Sequence, residues 1–204
     1  MNLRISSLLK IFILSLAFVM PADISAQTAD ELTMEENLAN PTVPKSAQNA
    51  ITRHMERLGG TFAKKGIEVK YTRRGEVADI IIPCSDLFAP NQIVLSKSAS
   101  RTLDAFLAIV KLPTLYKIII AVHGDDTGSE EYTDQLTDAR AAAIYDYYAT
   151  KLPNVDINLI PYGLGNDEPR ASNSSMAGRA ANRRIDFYII PEKQAIDMAK
   201  SGKL

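Results

Sequence analysis

Two charged residues give the first hint of chemistry. Arg140 lies in a stretch from Ser129 to about Thr150 that reads as an amphipathic helix. With Tyr132 set at 0° and about 100° per residue, Leu136, Ala139, Ala143 and Tyr147 fall within about 60° of it, and Ile144 at about 120°. Arg140 falls at about 80°, inside that apolar arc, with Thr133 near it at about 100°. Glu131, Asp134 and Asp138 fall between about 200° and 260°, on the solvent side. A buried guanidinium needs an anionic partner, because desolvating an unpaired charge is costly. Asp125, in the loop leading into this helix, is placed to supply one. Two readings stay open. In the first, Arg140 and Asp125 form a satisfied salt bridge, or Arg140 snorkels past the helix edge. In the second, the two divide a ligand between them. Asp125 accepts from an ammonium group, and Arg140 clamps a carboxylate through its bidentate fork. That pairing would recognise a zwitterion such as an amino-acid head group.

The elements that must hold these residues follow from periodicity. Ile51, Met55, Leu58 and Phe62 mark one face of a helix from about Ser46 to Lys65. Ile67, Val69 and Tyr71 alternate, Arg73 to Glu76 turn, and Val77 to Pro83 is almost entirely apolar. This predicts a hairpin whose second strand is central in a sheet. Ser96 is the expected N-cap of a helix carrying Leu103, Phe106, Leu107 and Val110. Tyr116 to Val122 reads as a buried strand, followed by the polar loop His123 to Gly128. Ser129 caps the Arg140 helix, with Glu130 and Glu131 in its favourable first turn. Val155, Ile157 and Leu159 alternate as a third core strand. A long loop over 162–182 follows, with a short helix near Ser175–Ala181. Ile185, Phe187 and Ile189 form a last strand stopped by Pro191, and the tail from Glu192 can form a further short helix. The expected fold is α+β: a β-α-β-α-β-β two-layer sandwich with a mixed sheet, preceded by a helix and a strand.

The same residues carry a family resemblance. Asp125-Asp126-Thr127-Gly128-Ser129, then Tyr132, Leu136-Thr137 and Arg140-Ala141, resembles the OmpA-like peptidoglycan-binding pattern T-D-x-x-G-S-x-x-Y-N-x-x-L-S-x-x-R-A. Tyr162-Gly163 through Pro169 resembles its G-Y-G-x-x-x-P loop. Gly178-Arg179-Ala180-Ala181-Asn182-Arg183-Arg184-Ile185-Asp186 resembles G-R-A-x-N-R-R-V-E. Leu87-Phe88 through Asn91 to Leu95 resembles the segment after the first strand. The four pieces lie in order over residues 76–191. The resemblance implies noncovalent binding of peptidoglycan, without catalysis, through the diaminopimelate residue of the stem peptide. It implies that Asp125 and Arg140 hold the amino and carboxylate groups of that residue. It places Asn91, Thr133 and one of Arg183 and Arg184, with Arg183 favoured, around the same pocket. It also implies the periplasm, beside peptidoglycan and the outer membrane, with an outer-membrane or periplasmic protein as a further partner. Three positions depart from the pattern: Thr133 replaces its helix Asn, Gly124 its Thr and Val122 its Gly. These bear on affinity or on the stem peptide preferred. An envelope scaffold with a degenerate pocket is the alternative, and a peptidoglycan hydrolase a lesser one. His123 is expected at the loop edge beside the site.

Composition narrows the field further. Among 204 residues, 46% are hydrophobic and 23% charged, with a formal net charge of -1. That is globular, and it lacks the basic excess of a nucleic-acid binder. One Cys and two His, His54 and His123, argue against a zinc site. No cofactor is expected, and Cys84 is most simply a buried thiol. Residues 1–26 read as a secretory signal, with Arg4 and Lys10 before an apolar run and cleavage expected after Ala26. No membrane span is expected to remain. Residues 27–44 are acidic and Pro-containing, an expected linker. Residues 45–75 form an N-terminal extension and 192–204 a tail. Residues 45–74 carry eight Lys or Arg against two Glu, a solvated face or an attraction to an anionic polymer.

Overall fold

The computed structural model describes residues 32–153, 155 and 158–204. The expected signal, residues 27–31 and Ile157 lie outside the described residues.

Three short apolar runs, β2 (Val77–Pro83), β3 (Tyr116–Val122) and β5 (Arg184–Pro191), build the centre of a mixed sheet. With β1 (Glu68–Thr72) and β4 (Leu159–Gly163) at its edges, the order is β1-β2-β5-β3-β4. Only β3 and β4 pair in parallel; the other pairs are antiparallel. The register stacks Ala78–Ile189–Ile118, Ile80–Phe187–Ile120 and Ile82–Ile185–Val122 in rows across three strands. These side chains share one face, because strand residues alternate sides. That face is buried by α2 (Lys45–Ala63), α4 (Ala99–Leu103), α5 (Leu107–Val110), α6 (Glu130–Ala149) and α8 (Lys193–Lys200). Phe106 lies between Phe62 and Phe187, with ring centroids 4.6 and 4.2 Å away.

Several expectations shift. The helix expected from Ser96 starts after Ser98 and is split by a 3-10 turn over Asp104–Phe106. The tighter turn changes the side-chain phase and lets Phe106 reach both partner rings. The third core strand is Leu159–Gly163, later than the Val155–Leu159 alternation suggested. It contains Pro161, which an edge strand tolerates. The short helix α7 is Met176–Asn182, capped by Ser175. The regions expected as an extension and a tail belong to the main core. Ile51, Met55 and Phe62 of α2 and Ala195, Ile196 and Ala199 of α8 join its cluster, and β1 is a strand of the same sheet.

The expected acidic linker is likewise ordered from residue 32 onward. Thr33 and Glu36 form a capping box at the start of α1 (Met34–Ala39). Met34 and Leu38 cover Val77, Ile119, Ala121 and Ile190 on the second sheet face. Asn37 donates to the Tyr162 hydroxyl at 2.9 Å, and that hydroxyl donates to the Leu32 carbonyl at 2.9 Å. Arg73 donates to the carbonyls of Leu38 (2.7 Å) and Pro41 (2.6 Å). Part of the basic stretch therefore serves to hold this strap.

Candidate cell-wall-binding cleft

The loop after β3 is fixed before it reaches Asp125. His123 N–H donates to the Arg184 carbonyl (2.9 Å), and Gly124 N–H to the Gly165 carbonyl (2.6 Å). Asp125 then turns back on itself, accepting from the Thr127 N–H at 3.0 Å. Its other oxygen accepts from Arg183. Burial alone would raise the Asp125 carboxyl. The Thr127 and Arg183 hydrogen bonds outweigh it and hold the group below its ordinary value, as a carboxylate.

Arg140 does not bridge to Asp125. It is 4% exposed, and among the described residues no carboxylate lies within 4.0 Å of it. Its Nε donates to the Gln92 carbonyl (2.9 Å) and its Nη2 to the Ala89 carbonyl (3.4 Å). The guanidinium lies 5.0 Å from the Phe88 ring centroid, a cation–π contact. Asn91 turns the chain between those two carbonyls with φ 57°, a left-handed conformation that Asn adopts readily. A loop of carbonyl oxygens thus steadies the cation without neutralising it. Among the described residues its remaining N–H groups have no hydrogen-bond partner.

The helix phase differs from the sequence reading. The buried residues of α6 are Thr133, Thr137, Arg140, Ala141, Ile144 and Tyr148. Their arc centres near 130° rather than near Tyr132, at about 100° per residue. Tyr132 itself is 43% exposed. Arg140, at about 80°, and Thr133, at about 100°, mark the edge of the buried arc nearer Tyr132.

Asp125, Arg140, Asn91, Thr133 and Arg183 all line one cleft of about 300 Å³. Phe88 and Leu136 supply apolar wall, and Tyr132 also borders the space. Arg183 and Arg184 part company here. Arg184 turns to the second sheet face, donating to Asp186 (2.9 Å) and to the Glu168 carbonyl (3.2 Å).

Residues 87–183 match the OmpA family model. The chain carries an OmpA family domain. The chain is 29% identical over 118 residues to Outer membrane protein A of Bordetella avium, covering 57% of this chain and 60% of that protein. Over 73 residues it is 34% identical to Peptidoglycan-binding protein ArfA of Mycobacterium tuberculosis, covering 36% of this chain and 22% of that protein. The chain thus spans about 60% or less of these relatives. A solved structure of a MotB-like protein from Desulfovibrio vulgaris superposes with TM-score 0.58 at 23% identity, covering 72% of this chain and 96% of that one. That likeness shows the fold.

Two of the three departures from the family pattern touch each other. A Cβ on Gly124 would collide with the Cγ2 methyl of Thr133 and lie 3.2 Å from the Gly165 carbonyl oxygen. The absence of a side chain at 124 makes room for the branched one at 133. The Thr133 hydroxyl donates to the Ser129 carbonyl of its own helix at 3.1 Å, so its proton is not offered to the cleft.

One expectation about the neighbours changes and another holds. His123 is 1% exposed and sits under the second sheet face, with Nε2 3.2 Å from Asp186, so it is no loop-edge residue of the OmpA domain cleft. Cys84 forms part of the cleft wall but is 4% exposed, and burial pushes its thiol up to about 11. The wall residues Tyr132 and Leu136 were visible in the family pattern only as spacing, without a role.

Proposed function

We propose that this chain binds peptidoglycan noncovalently and without catalysis, through the diaminopimelate end of the stem peptide, and tethers the wall to an outer-membrane or periplasmic partner. One observation carries the reading: a carboxylate held ionised and a buried guanidinium without a counter-charge line the same open cleft. Asp125 receives the ligand ammonium. The free N–H groups of Arg140 receive the carboxylate, in a desolvated setting where charge-assisted bonds are strong. Arg183 rests on Asp125 and moves aside or shares the carboxylate when an ammonium arrives. Asn91 and Thr133 shape the two rims. The name of the mycobacterial relative supports peptidoglycan as the ligand, and that of the Bordetella relative supports the outer-membrane side of the periplasm. Among the described residues, no helix is long and apolar enough to cross a membrane.

The Asp125–Arg183 pair favours a second reading, an envelope scaffold whose pocket has closed on itself. Sedimentation with purified sacculi separates the two. Wild-type protein should pellet with sacculi, free diaminopimelate should release it, and Asp125→Ala, Arg140→Ala and Arg183→Ala should weaken pelleting. Circular dichroism checks that each variant is folded. Equal pelleting of wild type and folded variants would overturn the site and leave the scaffold.

A further inference from the structure

The geometry points to a second subsite beside the first, for the residue amide-linked to the diaminopimelate of the stem peptide. This inference rests on the reading of the first cleft given above. A second cleft, about 320 Å³, opens between the end of β2 and α7. Cys84 and Ser85 face the first cleft, Pro83 and Asp86 face the second, and Arg183 borders both. The single turn of α3 (Cys84–Leu87) and the Arg183 side chain thus lie on their shared border.

Arg183 is suited to a ligand that crosses this border. Its side chain is 46% exposed and uses one Nη1 bond, to Asp125. The other N–H groups remain for a carbonyl or carboxylate passing over it. Diaminopimelate has two ends joined by three methylene groups. With its free zwitterionic end against Asp125 and Arg140, its amide-linked end lies toward Arg183. A peptide advances about 3.3–3.6 Å per residue, which carries the next residue past Arg183 toward the second cleft.

The lining of that cleft selects the class of group it takes. Ile67, Ile82 and Pro83 give it an apolar floor. Two of its three cations are already engaged, Arg170 with Glu68 and Arg184 with Asp186, and the third, Arg183, stands at the border with the first cleft. Asp86 is exposed and, among the described residues, has no cation within 4.0 Å. A cleft of this kind disfavours a polyanion. It suits a small neutral residue whose methyl group rests on the floor and whose N–H donates to Asp86. An alanine linked to diaminopimelate meets both requirements.

The test compares two ligands by calorimetry: free diaminopimelate, and a dipeptide of diaminopimelate followed by alanine amide, whose capped end brings no carboxylate toward Asp86. Wild-type protein should bind the dipeptide about four-fold more tightly, the worth of one buried methyl group. Ala180 is exposed on α7 and lines only the second cleft. Ala180→Trp should fill that cleft and erase the gain while leaving the Kd for free diaminopimelate unchanged. Ala180→Ser should behave as wild type. Equal affinity of wild type for both ligands, or an undiminished gain in folded Ala180→Trp, would overturn the second subsite. Dipeptide binding that Ala180→Trp abolishes, with no binding of free diaminopimelate, would keep the second subsite and overturn the head-group reading. Binding of neither ligand would overturn both.

Discussion

One carbon added at Gly124 should measure how tightly the two altered family positions depend on each other. That carbon would overlap the Thr133 Cγ2 methyl and press on the Gly165 carbonyl oxygen at 3.2 Å. Thr133 is 4% exposed, and its hydroxyl bond to Ser129 keeps it from rotating away. Over-packing of this kind costs about 1–3 kcal/mol. Stiffening the unfolded chain by Gly→Ala offsets about 0.4–1 kcal/mol of that. Gly124→Ala is therefore expected to lower the unfolding free energy by about 1–2 kcal/mol. Thr133→Ser keeps the hydroxyl and deletes the methyl, at a cost of about 1 kcal/mol. In the double mutant the added carbon occupies the vacated space, so Gly124→Ala should then cost little. The resulting coupling is about 1–2 kcal/mol, read from urea unfolding of the four proteins with the slope unchanged. Costs that add to within about 0.5 kcal/mol would refute the contact.

Two further outcomes concern the second sheet face. Burial, and then the neighbouring Asp186 carboxylate, pushes the Asp79 carboxyl from 3.8 up to about 7. The folded protein thus keeps a proton that the unfolded chain has released, and stability falls as pH rises through that window. The wild type should lose about 2 kcal/mol between pH 5.5 and 7.5, and Asp79→Asn should flatten that slope; equal slopes in denaturant titrations would refute it. Removing residues 32–43 bares Val77, Ile119, Ala121 and Ile190, so the shortened protein should melt lower and bind an apolar dye, and an unchanged melt with no dye bound would show the strap to be dispensable.

Strand patterning made most of the sheet legible, because β2 and β3 are nearly continuous apolar runs, as central strands are, and β5 alternates Ile185, Phe187 and Ile189. Helix periodicity was less faithful. The apolar residues of α6 are spread around it, and small or hydroxylated residues such as Thr133 and Thr137 form the buried side, which a search for large apolar residues misplaces. Arg140 was found all the same, since it lies within both arcs. Its partners were not legible: they are backbone carbonyls of Ala89 and Gln92, and carbonyls leave no mark in a sequence. The pairing of Asp125 with Arg183 joins residues far apart in the chain, and only the resemblance hinted at their nearness. The strap was missed because its acidic residues suggested solvent, although Thr33 and Glu36 have the spacing of a capping box.

That strap also determines how force would enter the molecule. Any pull on the chain ahead of residue 32 reaches the sheet through α1 and its few bonds to Tyr162, Lys117 and Arg73. These bonds can open one after another, whereas the strands behind them are paired along their length. Under tension the strap should peel before the sheet shears. About a dozen released residues would then add roughly 40 Å of slack between whatever holds that end and the cleft that grips the wall.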